Sequence, residues 1–403
     1  MSTQDAASIA RPADGPLSLR LLARLLDRLE TGTLELEWRD TRSRLTGARP
    51  GPSACIRIER PAVLLRRLAS GGELGFAEGY IAGDWQSPDP AALLALLAAN
   101  ETSLSDLASG TGWSRAAARL LHLARRNSRR GSRRNIAYHY DLGNAFYGLW
   151  LDPSMTYSSA LFDGADDELE TAQARKYARL LDMLECRPGE HILEIGCGWG
   201  GMAMEAARRG HRLTGITLSR EQLDWAQRRV ERAGVAGRVD LRLQDYRDVG
   251  GRYDHIVSVE MFEAVGEAYW PVYMETLKRR LRPGGRAALQ VITIDEAAFG
   301  GYRRGADFIQ RYIFPGGMLP SVERLTGEAR AAGLRVRGLD RFGGHYARTL
   351  AEWHRRFLAA VDEVRMRGYD ERFIRMWRYY LAYCEAGFRQ GRIDLVHVGL
   401  EHA

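Results

Sequence analysis

The chain has 403 residues, of which 45% are apolar and 27% charged, with a formal net charge of +7; the length exceeds one typical domain, and the composition excludes a disordered or fibrous chain. Its four cysteines, Cys55, Cys186, Cys197 and Cys384, are scattered and form no CxxC pair, so neither a disulfide framework nor a metal site is expected. The opening MSTQDAASIARPADGP lacks a basic flank followed by an apolar stretch, and the longest apolar run, 91–99, is too short to cross a bilayer, so a cytoplasmic location is expected.

In chain order, apolar-periodic stretches at 17–29, 61–69 and 90–99 and a strand-like run at 33–38 predict a small α+β module, assigned to residues 1–124. Six of the ten residues at 125–134 are arginine, interspersed with Gly and Ser, which reads as a linker. Such a cluster attracts acidic lipid headgroups by roughly 1 kcal/mol per cation and nucleic acid phosphates by the same Coulombic logic, although a merely solvated linker is as good a reading of charge alone.

From residue 135 the rhythm changes. Strand-then-helix units are expected at 191–195 with 200–209, 212–217 with 220–233, and 255–259 with 270–280, with further β-rich runs at 239–243 and 286–294. Alternation of this kind predicts an α/β domain over 135–403, a Rossmann-like, mostly parallel sheet with helices on both faces, whose ligands sit beyond the carboxyl ends of the strands.

The first of these strands runs into Gly196-Cys197-Gly198-Trp199-Gly200-Gly201. Glycines remove side chains where backbone must approach a ligand, and the following helix offers unpaired N–H groups to negative charge. Gly196, Gly198 and Gly201 also satisfy the GxGxxG dinucleotide fingerprint, so the glycines alone do not choose a cofactor. Three features favour S-adenosylmethionine (SAM). Glu194 and the glycines give E-x-G-x-G-x-G; the next strand ends Gly215-Ile216-Thr217-Leu218-Ser219 without the acid that meets a nicotinamide ribose; and Leu281-Arg282-Pro283-Gly284-Gly285-Arg286 turns a helix into a late strand.

From residue 135 onward the chain resembles the cyclopropane fatty acid synthase family, which includes mycolic acid cyclopropane synthases and related C-methyltransferases. The resemblance rests on Tyr138-His139-Tyr140-Asp141-Leu142-Gly143-Asn144, Leu151-Asp152-Pro153-Ser154-Met155-Thr156-Tyr157-Ser158, the glycine loop, Thr217-Leu218-Ser219 with Gln222, Gln244-Asp245-Tyr246, Met261-Phe262-Glu263, Tyr312-Ile313-Phe314-Pro315-Gly316-Gly317, and Tyr346-Ala347-Arg348-Thr349-Leu350 with Trp353. It implies SAM contacts from Tyr157, Ser158, Gly196, Gly198, Thr217, Gln222 and Tyr246, and a reacting centre at Tyr140, Glu263, Ile292 and Tyr346. In the family that centre binds bicarbonate through a cysteine, a glutamate, a histidine, an isoleucine backbone and a tyrosine. Here the cysteine position is Ser159 and the histidine position is Gln290. The resemblance also implies an unsaturated phospholipid substrate, peripheral contact with the anionic inner face of a membrane, a homodimer, and a separate reductase if a branch is to be saturated.

An isolated alkene needs no base to attack an in-line sulfonium methyl, but the cation left behind must be stabilised by aromatic faces and an anion and then lose a proton. Tyr140, Tyr312, Phe314 and Tyr346 suit the first task. Neither Ser159 nor Gln290 is a general base at neutral pH, so Glu263, directly or through bicarbonate, is the expected proton acceptor, and cyclopropane or a methyl or methylene branch both remain open. His345, beside Tyr346, is a candidate substitute for the missing histidine. Cys197 lacks a base to activate it, and His139 reads as a capping or core residue. The near-helical aromatic series Trp377, Tyr379, Tyr380, Tyr383 and Phe388 reads first as core packing and second as an acyl-tunnel wall. Two other classes compete: a nicotinamide-dependent oxidoreductase, on the degenerate glycines, and an RNA-binding or modifying protein, on the arginines, although no nucleic acid partner is expected without a recognisable RNA-binding module.

Overall fold

The computed structural model describes residues 15–104 and 142–403. Tyr140, His139 and the arginine segment at 125–134 lie outside the described residues. By contacts the chain divides into two compact units, one of residues 1–118 with 365–390 and one of 119–364 with 391–403.

The first unit carries a four-stranded sheet of order β2-β1-β3-β4, built from β1 (Thr31–Trp38), β2 (Thr41–Thr46), β3 (Arg49–Ile58) and β4 (Trp85–Gln86). The helix Pro90–Ala99 opens with proline at its first turn and Asp89 accepting the Ala92 N–H at 3.0 Å. Asn100 then ties that helix to β1: its Oδ1 accepts the Glu30 and Thr31 N–H groups at 2.9 Å, and its Nδ2 donates to Thr31 O at 2.8 Å. The helix read at 61–69 continues as Pro61–Ala82 through a kink at Gly72, which no side chain but hydrogen tolerates easily at φ 55°, ψ −128°.

The division differs from the expected 135–403 domain at both ends, since the second unit begins at 119 and residues 365–390 belong to the first. The aromatic helix Glu371–Arg389 packs with the helices of the first unit, where Arg375 donates to Tyr80 O at 3.0 Å and Tyr379 lies 5.6 Å from the Tyr80 ring. Trp377, Tyr379, Tyr380 and Phe388 are buried there.

The second unit holds a seven-stranded sheet of order β10-β11-β9-β8-β5-β6-β7. Its strands are β5 (His191–Ile195), β6 (Arg212–Thr217), β7 (Val239–Leu243), β8 (Tyr253–Val259), β9 (Leu281–Ile294), β10 (Leu334–Arg341) and β11 (Ile393–His402). β9, β8, β5, β6 and β7 run parallel, while β11 pairs antiparallel with both β9 and β10. Residues such as Leu193, Ile256, Trp270, Tyr273 and Leu289 bury the sheet's faces. Helices therefore cover a nearly continuous apolar sheet, and the polar machinery is displaced to the strands' carboxyl ends.

Candidate active site

β5 ends at Ile195 and the chain turns through Gly196, at φ +88°, whose Gly196 and Cys197 N–H groups both donate to Ile216 O. A Cβ at Gly196 would meet the Met261 side chain at 2.3 Å, whereas at Gly198, φ +49°, nothing lies within 4 Å, so that backbone faces open space. Glu194, at the end of β5, is buried, its Oε2 has no hydrogen-bond partner among the described residues, and burial pushes its carboxyl up to about 8. The buried Tyr246 hydroxyl is likewise unpartnered. Orphaned buried polar atoms and a glycine turn open at Gly198 fit a nucleoside-type ligand such as SAM, since buried polar groups are otherwise paired.

The neighbouring turn is held internally. Thr217 Oγ1 donates to Gln222 Oε1 at 3.1 Å and accepts the Ser219 N–H at 3.2 Å, and Ser219 caps the helix Arg220–Arg232. Ser158 accepts a 2.5 Å hydrogen bond from the buried Lys176 ammonium, and its carbonyl accepts from Gln173 Nε2 at 2.8 Å. Tyr157 sits in an aromatic cluster with Trp353 at 5.2 Å, Tyr147 at 5.3 Å and Trp150 at 5.5 Å. Cys197 is buried, and burial raises its thiol well above its ordinary value, so it is no nucleophile.

At the carboxyl end of β8 the chain places two carboxylates three residues apart. Glu263 opens a short helix, Phe262–Val265; its Oε1 accepts the Ile292 N–H at 3.1 Å and its Oε2 is buried without a partner among the described residues. Burial, reinforced by the negative charge of Glu260, pushes Glu263 up to about 8. The segment through Gly317 and Met318 lies against it, with the Met318 N–H donating to Glu263 O at 2.9 Å.

Glu260 was not expected. It lies directly after β8 at φ +52°, a conformation that costs a non-glycine residue about 1–2 kcal/mol. Its Oε1 accepts the Ser159 N–H at 2.9 Å and the Gln290 amide at 2.7 Å, and its Oε2 accepts the Tyr346 hydroxyl at 2.7 Å. Burial pushes this carboxyl above its ordinary value, while the Ser159 N–H, the Lys176 charge, Tyr346 and Gln290 pull it back.

Register explains the convergence. Val259 pairs with Gln290 between β8 and β9, and Gln290 pairs with His397 between β9 and β11. The buried His397 donates from Nε2 to Gln290 Oε1 at 2.7 Å, which turns the amide's N–H groups toward Glu260. The histidine behind Gln290 is thus His397 rather than His345, whose Nδ1 accepts the Phe162 N–H at 3.1 Å. Ser159 contributes its backbone to the cluster; its hydroxyl donates to Ala160 O at 3.0 Å. Three of the groups expected to hold bicarbonate, at Ser159, Gln290 and Tyr346, are therefore engaged by Glu260 and the Ile292 N–H by Glu263, so the residues present do not fit that ion.

Cys186, Glu190 and His255 converge near the amino-terminal ends of β5 and β8. There His255 Nε2 bonds Glu190 at 2.9 Å and His255 Nδ1 accepts the Arg286 N–H at 3.3 Å, which satisfies the ring.

A family model described as mycolic acid cyclopropane synthetase matches residues 127–398. The chain is 41% identical to the tuberculostearic acid methyltransferase UfaA1 of Mycobacterium tuberculosis, across 96% of this chain and 93% of that one. It is 36% identical to the cyclopropane-fatty-acyl-phospholipid synthase of Escherichia coli, across 86% and 87% of the two chains. The crystal structure of mycolic acid cyclopropane synthase CmaA1 complexed with SAH and CTAB superposes with a TM-score of 0.63 at 30% identity, covering 66% of this chain and 97% of that one. Neither an oxidoreductase nor an RNA-binding protein survives these matches, and with the glycine cradle and paired carboxylates beside them the chain belongs to the mycolic acid cyclopropane synthetase family, as a SAM-dependent methyltransferase.

Proposed function

We propose that the protein transfers the one-carbon unit of SAM to the double bond of an unsaturated acyl chain carried by a phospholipid, through a carbocation, and leaves a methyl or methylene branch. The observation that carries this reading is the carboxylate pair Glu260 and Glu263 beside an aromatic wall. Tyr346 bonds Glu260 through its hydroxyl and presents its ring edge-on to Trp353 at 6.1 Å, and Trp353 in turn faces Tyr157. A carboxylate such as Glu260, together with aromatic faces, is what a developing carbon cation requires, and an amine or hydroxyl acceptor does not require it.

SAM supplies the electrophilic methyl group. Gly198 leaves open space at its backbone, Gly196 makes the tight turn before it, Tyr157, Ser158, Thr217, Gln222 and Tyr246 would contact the bound cofactor, and Ile292 fixes Glu263 through its N–H. Similarity across nearly the whole chain to a protein named a tuberculostearic acid methyltransferase, with Gln290 at the histidine position, favours a branch over a ring.

No helix among the described residues is long and apolar enough to cross a membrane. The arginines of 125–134 would hold the enzyme at the anionic inner face, where its substrate resides. A homodimer and a downstream reductase complete the reading. Incubation with SAM and monounsaturated phospholipid vesicles should add the mass of one CH2 to the acyl chain, and proton NMR should show vinylidene or methyl signals in place of ring protons. SAH release without any change in lipid mass would overturn it.

A further inference from the structure

We infer that Glu260 is the built-in proton acceptor of the reaction, occupying the seat that a free bicarbonate would take. The inference rests on the lipid reading above and adds the identity of its base. Three separate elements converge on one carboxylate: the loop at Ser159, β9 at Gln290, and the helix Gly343–Ala359 at Tyr346. Two of the donors are uncharged side chains and the third is backbone, so among the described residues the seat holds an anion through neutral hydrogen bonds while the Lys176 charge acts on it without bonding it. Among the described residues Oε1 accepts two hydrogen bonds and Oε2 one, which leaves Oε2 a lone pair for an incoming proton.

The backbone supports the same conclusion. A glutamate at φ +52° is held where glycine would be at ease, and strain of this kind persists when the surroundings over-determine it. Behind the seat, His397 is a positioning residue: its Nε2–H locks the Gln290 amide so that the N–H side faces Glu260.

The step balances without another reactant. The alkene π pair forms the new bond to the methyl carbon as the sulfur–carbon bond breaks. A hydride then shifts from the methylated carbon to its cationic neighbour, the resulting tertiary cation loses a proton of the new methyl group to Glu260 Oε2, and the released C–H pair becomes the double bond of a methylene branch. The proton passes to solvent when the product leaves.

The test compares wild type, Glu260→Gly and Glu260→Gln in bicarbonate-scrubbed buffer, with and without added bicarbonate, on monounsaturated phospholipid vesicles with SAM. Wild type should form lipid product at the same rate in both buffers. Glu260→Gly should fold, because glycine relaxes at that φ, and bind SAM by calorimetry as wild type does. It should form product at least about a hundredfold more slowly, the low end of a general base's contribution, and recover when bicarbonate fills the vacated space. Glu260→Gln, which keeps the shape, should be equally slow and unrescued. A wild type that needs bicarbonate, or a Glu260→Gly variant at full rate without it, overturns the inference and leaves the lipid reading standing. A wild type that makes no lipid product in either buffer overturns both.

Discussion

Lys176 Nζ reaches Ser158 Oγ at 2.5 Å with both side chains buried. Burial pulls the ammonium down to about 7, against the attraction of Glu260, Asp152 and Glu194. A charge kept in so costly a place is there to hold Ser158 and to face three acids. Because the folded pKa lies below the unfolded value, the native state binds fewer protons between about pH 10 and pH 7, and stability falls as pH drops through that window. Lys176→Met removes this penalty, so its Tm at neutral pH should match or exceed that of wild type. Its SAM Kd should rise roughly tenfold, the ~1.5 kcal/mol of one charge-assisted hydrogen bond. Calorimetry with SAM checks this, and an unchanged Kd would refute the role.

Glu263 titrates in the opposite sense. Its folded pKa of about 8 exceeds the ordinary carboxylate value through burial first and Glu260 second, so its contribution to stability is full below about pH 4.5 and is lost as pH rises through 8. Glu194 shares the window, also raised to about 8 by burial. Glu263→Gln keeps an oxygen for the Ile292 N–H but cannot ionise. Urea unfolding across this range should therefore show a shallower loss of stability, reduced and not abolished because Glu194 remains. Turnover should fall by about a hundredfold with SAM binding retained.

His397 is pushed down to about 3, by burial first and then by Arg179, Lys176 and His345. The unfolded chain protonates near pH 6.5 while the native ring stays neutral, so this share of stability is present above about 6.5 and drains away as pH falls toward 3. His397→Phe should flatten that acid limb. It should also cost about 1–3 kcal/mol at neutral pH by leaving the buried Gln290 Oε1 without a donor. Product formation should slow while the SAM KM holds, and His397→Gln, which restores an N–H donor, should recover part of the rate; equal loss of kcat and SAM affinity would mark a merely structural role.

Strands at 191–195, 212–217 and 239–243 are legible to the residue, because each is a short segment of aliphatic and β-branched residues closed by glycine or polar turn residues. The helix Glu371–Arg389 was legible as a helix but not as part of the first unit, since its partners lie some three hundred residues earlier in the chain, as Arg375 on Tyr80 shows. The cofactor loop and Glu263 are local motifs, and motifs survive in a linear reading. Glu260 and His397 do not. Glu260 reads as the last residue of a strand, and nothing in its identity announces a positive φ; the available signal was a second acid three residues before Glu263. His397 requires the β9–β11 register, which is antiparallel and joined across more than a hundred residues.

Register and seat together decide what it would take to change the product. Ser159→Cys with Gln290→His restores the two residues that the cyclopropane-forming pattern calls for, but the cysteine would inherit a hydroxyl that points to Ala160 O, and the histidine would meet a carboxylate already in place. The double variant should therefore remain a branching enzyme of reduced rate. Adding Glu260→Gly empties the seat, relieves the strained backbone, and lets bicarbonate reach the new histidine, Tyr346 and Glu263 together. The triple variant with bicarbonate should yield cyclopropane lipid, measurable by its ring protons, and should yield none without it. Ring formation by the double variant alone would show that positions 159 and 290 choose the product and that Glu260 does not.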